Sequence, residues 1–324
     1  MMQPVFTSFF QRVLIGTTLA ISFIGTPYAS ESWPTRPVTL VVPFGAGGIT
    51  DVTTRTVAKL LQEELGQPVV VDNKPGAGGN IAAVGVARAK ADGYTLMVIT
   101  NGMVALNPLI NKTLNYDVIK DFTYISMITN TPLVLVVSEK SAIRDLHSLV
   151  AQAKQQRDSV AFASSGLGTS IHQVLASLQQ ATDTTLLHVP YKSGAEAANA
   201  LLSDAVQSTA IETVVVGPFV ESGKMRALGV TSSQRVPRLP NIPTVAEQLG
   251  VEFEVGSISG VVAPSGTPAH VVKRLEDAMA KVLKSEGMQS LISQGSQPMP
   301  AGSEAFQGRM RKEVAKWKDV FGAR

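Results

Sequence analysis

The 324-residue sequence predicts an α/β protein with two lobes, each built on a mostly parallel sheet flanked by helices. Short apolar segments rich in β-branched residues alternate with segments of helical periodicity, which is the pattern of βαβ units. The alternation runs through two cycles without a linker between them, so we expect the chain to cross between the lobes and return. Hydrophobic residues make up 44% of the chain and charged residues 16%, which is enough apolar material for large cores.

The first cycle starts with a strand and contains two predicted helices. Residues 37–44 ("PVTLVVPF") form a continuous apolar run typical of a buried strand, and residues 50–65 place their apolar side chains on one helical stripe. A second strand, a second helix and a third strand are predicted at residues 68–73, 79–91 and 94–100.

The second cycle begins with the strand-like segment "PLVLVVS" at residues 132–138. The elements that follow are predicted in this order: a helix at 146–156, a strand at 160–165, a helix after Gly168, a strand at 186–191, a helix at 194–203, a short segment at 205–211, a helix at 214–222 and a strand at 225–231. Prolines predict an irregular connection at 232–245, and a last strand at 258–268 precedes two helices at 269–285 and 303–322. We therefore expect residues 31–131 and 254–324 to form one domain and residues 132–253 the other.

Residues 1–30 have the features of a secretory signal peptide. Arg12 is the only charged residue among them, and it precedes an apolar stretch at residues 13–25. This stretch is shorter than the about 20 residues that span a bilayer, although an uncleaved anchor remains the alternative. We expect an exported, periplasmic protein whose mature chain begins near Ser30 or Glu31.

The composition excludes several classes of function. The formal charge is only +3 and no Lys/Arg block occurs, which argues against a nucleic-acid partner. The chain has no cysteine, so disulfides, thiolate metal sites and a cysteine nucleophile are absent. The four histidines lack the spacing of a metal site, and we expect no metal and no cofactor.

Three glycine-rich loops each join a predicted strand to a predicted helix. They are "PFGAGGITD" after the first strand, "KPGAGGN" after the second, and "ASSGLGTSIH" in the second cycle. At such a junction the free N–H groups of the helix N-terminus attract an anion, and glycines let the ligand approach the backbone. Neither a Walker loop nor a GxGxxG fingerprint fits the spacing. The alternative for each single loop is tight packing of helix against strand.

Individual polar residues near these loops allow more than one interpretation. Asp51 lies in the first turn of the first helix, where it either stabilises the positive helix end or fixes the loop beside a ligand. His172 could reach the cleft or make a structural hydrogen bond, and Tyr191 is either a core aromatic or a pocket wall. A serine hydrolase with Ser164 or Ser165 and His172 is the enzymatic alternative, but no GxSxG elbow occurs and we expect no catalytic residue.

Several segments in one order resemble the Bug family, the periplasmic solute-binding proteins of tripartite tricarboxylate transporters. They include "WPTRPVTLVVPFGAGGITDVTTR", "VVVDNKPGAGGNIAAVGVARAKADGYTL", "FASSGLGTSIH", "LLHVPYKSGAEAANALL" and "GVVAPSGTPAHVVKRL", and they cover nearly the whole mature chain. The resemblance implies a two-lobed type II periplasmic binding protein fold, a Venus flytrap that holds a ligand carboxylate in its cleft. Carried over by motif, the residues implied to bind the ligand or line the cleft are Phe44, Ala46, Gly47, Gly48, Asp51, Gly76, Ala77, Gly78, Thr100, Asn101, Ser164, Ser165, Gly168, Thr169, His172 and Tyr191.

The sequence departs from the family pattern after residue 202. The family reads like "GGQVDLMFD" there, whereas this chain reads "SDAVQSTAIE". A gapless count places Ile211 at the second family aspartate, which lies near the pocket. We therefore expect Ile211 to form an apolar wall and the ligand to lack a cationic amine, because an unpaired buried ammonium is costly. Glu212, the next residue, could replace the lost charge.

These observations predict a binding protein that captures a small organic or aromatic carboxylate and delivers it to the membrane permease subunits of a tripartite tricarboxylate transporter. We expect it to be a monomer without enzymatic activity. A ligand sensor for a signalling partner is the alternative within the same class of protein.

Overall fold

The computed structural model describes residues 33–111, 114–299 and 302–322; the predicted signal peptide lies outside these ranges. The strands are β1 (Val38–Val42), β2 (Val69–Asn73), β3 (Thr95–Thr100), β4 (Phe122–Ser138), β5 (Ala161–Ser164), β6 (Leu187–Pro190), β7 (Ser208–Glu212), β8 (Met225–Val230), β9 (Gly256–Pro264) and β10 (Gln297–Pro298). The α-helices are α1 (Ile49–Leu65), α2 (Asn80–Ala87), α3 (Asn107–Ile110), α4 (Leu146–Gln155), α5 (Ser170–Thr182), α6 (Gly194–Leu202), α7 (Thr213–Glu221), α8 (Val245–Leu249), α9 (Ala269–Val282), α10 (Glu286–Ser293) and α11 (Ser303–Gly322). A 3₁₀ turn at Ala77–Gly79 precedes α2, and a π-helical segment at Gly102–Leu106 precedes α3.

The strands form two groups that share β4, in the order β2-β1-β3-β9-β4-β7-β5-β6, with β8 and β10 also paired to β4. In the first group β1, β2 and β3 are parallel, while β9 pairs antiparallel with both β3 and β4. In the second group β5, β6 and β7 are parallel, and β4 runs antiparallel to β7 and β8. Most strands of each group therefore point the same way. We call the first strand group with its flanking helices the first lobe, and the second strand group with its flanking helices the second lobe.

Successive side chains of a strand point to opposite faces of its sheet, so each lobe has a hydrophobic core on both faces of its sheet. In the first lobe Leu40 packs in the core beneath α1 and α9, whereas its neighbour Val41 packs on the opposite face with Met97. In the second lobe Leu133 and Val134 divide between two cores in the same manner. The helices on both faces make this a two-lobed α/β fold.

Strand β4 is the main difference from the predicted elements. Its 17 residues include the expected strand at 132–138, but the strand already begins at Phe122. The segment from Phe122 to Pro132 pairs with β9, and the segment from Leu133 onwards pairs with β7 and β8. The predicted domain boundary after residue 131 thus falls inside one continuous strand.

The C-terminal helix α11 packs against both lobes. Phe306 lies edge-on to Tyr124 with ring centroids 4.9 Å apart in a core of the first lobe. Trp317, near the other end of α11, is buried in a core of the second lobe. The predicted helix at 303–322 is present, and α10 is an additional helix that the sequence patterns missed.

Candidate functional site

The N-termini of α1, α5, α6 and α7 meet at one pocket between the lobes, which we call the inner pocket. The N-cap residues of these helices all contact it: Gly48 for α1, Thr169 for α5, Ser193 for α6 and Glu212 for α7. The complete lining is Phe44, Gly45, Gly48, Ile49, Thr50, Asp51, Thr100, Ser165, Thr169, Ser170, Ile171, Ser193, Gly194, Glu212 and Ser257. The first turns of the helices thus place N–H groups and partial positive charge around one small space.

The four N-termini differ in how their N–H groups are satisfied. The Thr169 side chain accepts a hydrogen bond from His172 N, and the Ser193 side chain accepts one from Glu196 N. The N-caps of α1 and α7 make no such side-chain bond. The first turns of α1 and α7 therefore keep more donors for a ligand than the capped helices do.

The inner pocket contains a buried hydroxyl that is available for a hydrogen bond. Thr100 Oγ1, at the end of β3, has no hydrogen-bond partner among the described residues, and Thr100 is only 3% exposed. Because buried polar atoms nearly always have a partner, this hydroxyl is suited to bind a molecule in the pocket. Among the described residues that line this pocket, none is basic.

Asp51 fixes the loop between β1 and α1. Its carboxylate accepts hydrogen bonds from Gly47 N at 3.0 Å and from Asn73 Nδ2 at 3.0 Å, and it forms an ion pair with Arg55 at 2.9 Å. Burial alone would raise the pKa of Asp51, but the bonds from Arg55, Gly47 and Asn73 outweigh it and hold this pKa below its ordinary value. Both carboxylate oxygens are therefore occupied by the protein itself.

A wider outer pocket opens from the inner one, and Phe44 and Ser165 line both. It contains about 1200 Å³ of space outside the protein atoms, against about 390 Å³ for the inner pocket. Its remaining lining is Gly76, Ala77, Gly78, Gly79, Asn80, Asn107, Ile110, Asn111, Gly166, Leu167, His172, Pro190, Tyr191 and Lys192. The two pockets together form a polar end and a larger, more apolar chamber.

Two histidines stack beside the outer pocket. The rings of His172 and His188 lie parallel with centroids 4.6 Å apart, and Gly168 N donates to His172 Nδ1. His188 Nε2 forms a 2.5 Å hydrogen bond with Ser164 Oγ. Burial, and secondarily the charge of His188, lowers the pKa of His172 to about 4, and burial also lowers the pKa of His188. Both rings are accordingly neutral near pH 7.

Most of the residues predicted for the site line one of the two pockets. The inner pocket takes Phe44, Gly48, Asp51, Thr100, Ser165 and Thr169. The outer pocket takes Gly76, Ala77, Gly78, His172 and Tyr191, with Phe44 and Ser165 shared. The structure thus brings glycine-rich strand-to-helix loops of both lobes together at the two pockets, and their part in binding stays a prediction.

The other predicted residues line neither pocket. Gly47 bonds to Asp51 as described, and Ala46 beside it is exposed. The Asn101 amide donates to Gln173 Oε1 and to the carbonyl of Gly256 inside the protein. Ser164 pairs with His188 instead of facing the cleft, and Gly168 packs so closely on Asn107 that an added Cβ would lie 1.5 Å from its Oδ1.

The expectation that Ile211 forms a pocket wall is wrong. Ile211 is fully buried in a core of the second lobe with Val134 and Val136, opposite the pocket. Successive strand residues point to opposite faces, so its neighbour Glu212 faces the inner pocket instead. The gapless count therefore assigned to Ile211 the place beside the pocket that the next residue, Glu212, occupies.

Glu212 is the main residue that the sequence reasoning left out of the site. It ends β7, caps α7 and is 4% exposed. Burial raises the pKa of Glu212 to about 7, against the weaker lowering by hydrogen bonds from its own N–H and from Ser257. Ser193 and Gly194 were also missed, although "SGAE" has the Ser-x-x-Glu spacing of a helix N-cap.

The comparisons with known proteins place this two-lobed fold among the periplasmic solute-binding proteins. A family model described as tripartite tricarboxylate transporter family receptor matches residues 53–324. Protein BugT of Bordetella pertussis is 34% identical over 95% of this chain and 95% of its own length. An R. palustris protein solved with adipate is 36% identical with a TM-score of 0.85, covering 89% of this chain and 97% of that one. MatC from Rhodopseudomonas palustris with bound malate is 30% identical with a TM-score of 0.85, covering 89% and 99%.

The chain belongs to the tripartite tricarboxylate transporter receptor family, as its resemblance to Bug proteins implied. This confirms the predicted family and the two-lobed binding-protein fold. Members of the family bind solutes and are not enzymes, which excludes the hydrolase alternative. None of the helices in the described ranges is long and apolar enough to cross a bilayer.

Proposed function

We propose that this protein captures a small organic carboxylate in the periplasm and delivers it to the membrane permease of a tripartite tricarboxylate transporter. The ligand carboxylate would occupy the inner pocket, and its carbon skeleton would extend into the outer pocket. The predicted signal peptide at residues 1–30 would direct export. We propose the predicted lobes, 31–131 with 254–324 and 132–253, as the bodies that close on the ligand, and a monomer as the working form.

The convergence of helix N-termini around Thr100, without a basic side chain, carries this proposal. An anion at one helix N-terminus gains about 0.3–1 kcal/mol, and up to about 2 kcal/mol when partly buried. Several such ends together can offset the loss of hydration of a carboxylate. The proposal is supported by the malate and adipate in the structures of two relatives.

A thermal-shift screen tests the class of ligand. Carboxylates should raise the melting temperature, since a ligand at about 100 times its Kd adds about 2.7 kcal/mol to the free energy of unfolding. The screen should include malate, adipate, succinate and aromatic acids beside the corresponding amides, sugars and amines. Stabilisation by amides or sugars, with no response to any acid, would contradict the proposal.

Thr100→Val tests where the carboxylate lies. We expect this substitution to lower the affinity for the acid that raised the melting temperature most by about 10- to 100-fold. The reason is that a hydrogen bond to a charged group contributes about 1.5–3 kcal/mol. Thr53→Val is the matched control: Thr53 Oγ1 is also buried without a partner, but Thr53 does not line either pocket. Equal losses from both variants would place the ligand elsewhere.

Delivery to a permease needs a separate test. Tagged protein loaded with its acid should retain permease subunits from solubilised membranes of cells that carry this chain naturally. The unloaded protein should retain fewer of them. Retention of a signalling receptor in place of a permease would favour the sensor alternative.

A further inference from the structure

Glu212 is a buried carboxyl group in the pocket where the ligand carboxylate is proposed to bind. It pairs in register with Leu133 of β4, and its Oε2 faces the start of α6, where a Cβ added to Gly194 would lie 3.8 Å away. Ser257 of β9, from the first lobe, lines the same pocket, and it weakly opposes the rise in the pKa of Glu212. The residue is thus held between the two lobes at the polar end of the cleft.

The charged groups around the inner pocket do not supply Glu212 with a cation. Asp51, on α1, is the other charged residue in the lining, and its carboxylate already binds Arg55. On α5 and at the start of α6, His172 and Lys192 line the outer pocket instead. Glu196 of α6 is exposed and accepts a bond from Lys192 N. Thr100 of β3 and Ser257 of β9 line the pocket, and Leu133, the cross-strand neighbour of Glu212 on β4, is apolar and buried.

We propose that Glu212 is protonated in the complex and donates a hydrogen bond to the ligand carboxylate, so that each ligand is captured together with one proton. This inference rests on the proposed function, because it assumes an anion in the inner pocket. The proton comes from solvent and adds to a Glu212 carboxylate oxygen; no other bond forms or breaks. Glu212 thereby becomes a residue that sets specificity.

Electrostatics favours a shared proton over two charges. Two ionised carboxylates in one desolvated pocket repel each other strongly, and the usual outcome is that one of them holds a proton. The helix N-termini and the Thr100 hydroxyl face the ligand as donors, so the ligand oxygens carry the charge and Glu212 the proton. A protonated Glu212 is itself a hydrogen-bond donor, so it joins the helix N–H groups and the Thr100 hydroxyl as a donor to the ligand carboxylate.

The competing interpretation is a ligand ammonium group paired with ionised Glu212. The surrounding pocket favours that less, because Asp51 is saturated by its own partners and a cation would lie among the N-termini of α1, α5 and α6. The proton-sharing arrangement therefore predicts preference for acids without an amine. The pair succinate and aspartate, which differ by one ammonium group, separates the two interpretations.

The first measurement needs no ligand. Infrared difference spectra between wild type and Glu212→Gln should show the C=O stretch of a protonated carboxyl at pH 6, which disappears as the pH rises above about 7. Because it is made on the free protein, this readout tests the raised pKa of the buried carboxyl whether or not the proposed class of ligand is right. The same spectra recorded with malate, adipate or succinate bound test the complex, and a Glu212 that is ionised there at pH 6 would overturn the inference.

The second measurement counts protons during binding. Titration calorimetry of malate, adipate and succinate in buffers of different ionisation enthalpy should give uptake of about one proton at pH 8, and this uptake should fall as the pH drops through about 7, where free Glu212 already holds its proton. Wild-type affinity should fall about tenfold per pH unit above pH 7.5, where these acids themselves are fully ionised. Glu212→Gln keeps a neutral donor and should bind with less than about a twofold change over the same range.

Glu221→Gln is the matched control for this titration. Glu221 ends the same helix, is exposed and pairs with Arg238, so its removal changes the net charge equally without touching the pocket. It should keep the proton uptake of wild type. Binding without proton uptake at pH 8 would overturn the inference. The inference would also be overturned if wild type bound aspartate more tightly than succinate and Glu212→Gln abolished this difference in affinity.

Discussion

At the scale of single residues, Glu212 makes the stability of the folded protein depend on pH, in addition to its proposed effect on ligand binding. Its pKa is about 7 in the folded protein and about 4.5 in an unfolded chain, so the native state holds a proton more firmly. Its contribution is therefore fully present below about pH 4.5 and is lost as the pH rises through about 7. We expect the melting temperature of wild type relative to Glu212→Gln to fall by on the order of 5 °C between pH 5 and pH 8.

Melting curves of the two proteins across this range check that expectation. Glu221→Gln serves as the reference, since an exposed residue should give a difference that hardly changes with pH between 5 and 8. A constant difference between wild type and Glu212→Gln would mean that Glu212 ionises normally in the folded protein.

At the scale of elements, the loop between β1 and α1 is held in its binding shape by polar contacts from β2. Asn73 Nδ2 donates to the carbonyl of Phe44 and to Asp51 Oδ1, both at 3.0 Å, and Asn73 Oδ1 accepts from Arg55. Asn73→Ala removes these bonds without altering the pocket surface. We expect about a tenfold loss of carboxylate affinity and a decrease of about 1–2 kcal/mol in the free energy of unfolding.

Asn199→Ala on α6 provides the comparison for Asn73→Ala, because Asn199 is exposed on a helix that also borders the pocket. Isothermal titration and denaturant unfolding should show little change in this variant. If Asn73→Ala lowered stability but left affinity intact, the loop would not need its preformed shape for binding.

At the scale of the whole molecule, the two lobes approach each other across the cleft through backbone contacts at glycines. Gly45 N donates to the carbonyl of Lys192 at 3.3 Å, which joins a loop of the first lobe to a loop of the second. A Cβ on Gly78 would lie 2.2 Å from the carbonyl oxygen of Leu167 across the cleft. The approach at Gly78 is open only to glycine, so a side chain there would force the two loops apart.

Gly78→Ala should therefore hold the lobes apart and weaken ligand binding by at least about tenfold. Gly66→Ala separates this steric effect from backbone strain, because Gly66 has a similar φ of 70°, against 64° for Gly78, but nothing within 4 Å of an added Cβ. Both variants should lose about 1 kcal/mol or more of stability. Only Gly78→Ala should lose affinity and show a larger radius of gyration with ligand by small-angle scattering.

How much of the fold could be predicted depended on where its determinants lie in the chain. Local periodicity was sufficient for most helices and strands, but the first part of β4 was missed. Ser126, Thr129 and Thr131 make that segment look polar, yet all three are buried by pairing with β9 and by contacts such as Thr131 Oγ1 to Ser296 Oγ at 2.8 Å. Those partners lie more than a hundred residues away, so no local pattern reveals them.

In the candidate site, too, some features could be predicted from local sequence and others depended on distant parts of the chain. Glycine-rich junctions after strands were visible in the sequence, and they led to Gly48, Thr100 and Thr169 in the inner pocket. The position of Glu212 was not visible, because a shift of one residue in a strand exchanges the two faces of a sheet. Only the register of β7 on β4 decides which of Ile211 and Glu212 faces the inner pocket.

The sequence by itself determined the class of protein, the alternation of strands and helices, and the loops that face the cleft, because each of these is written in residues close together along the chain. The tertiary structure alone decided that the N-termini of α1, α5, α6 and α7 meet at one pocket, and that the carboxyl group of Glu212 lies among them with no basic residue in the described lining. That arrangement arises from long-range strand pairing, whose contacts are cooperative and are not encoded in any short segment.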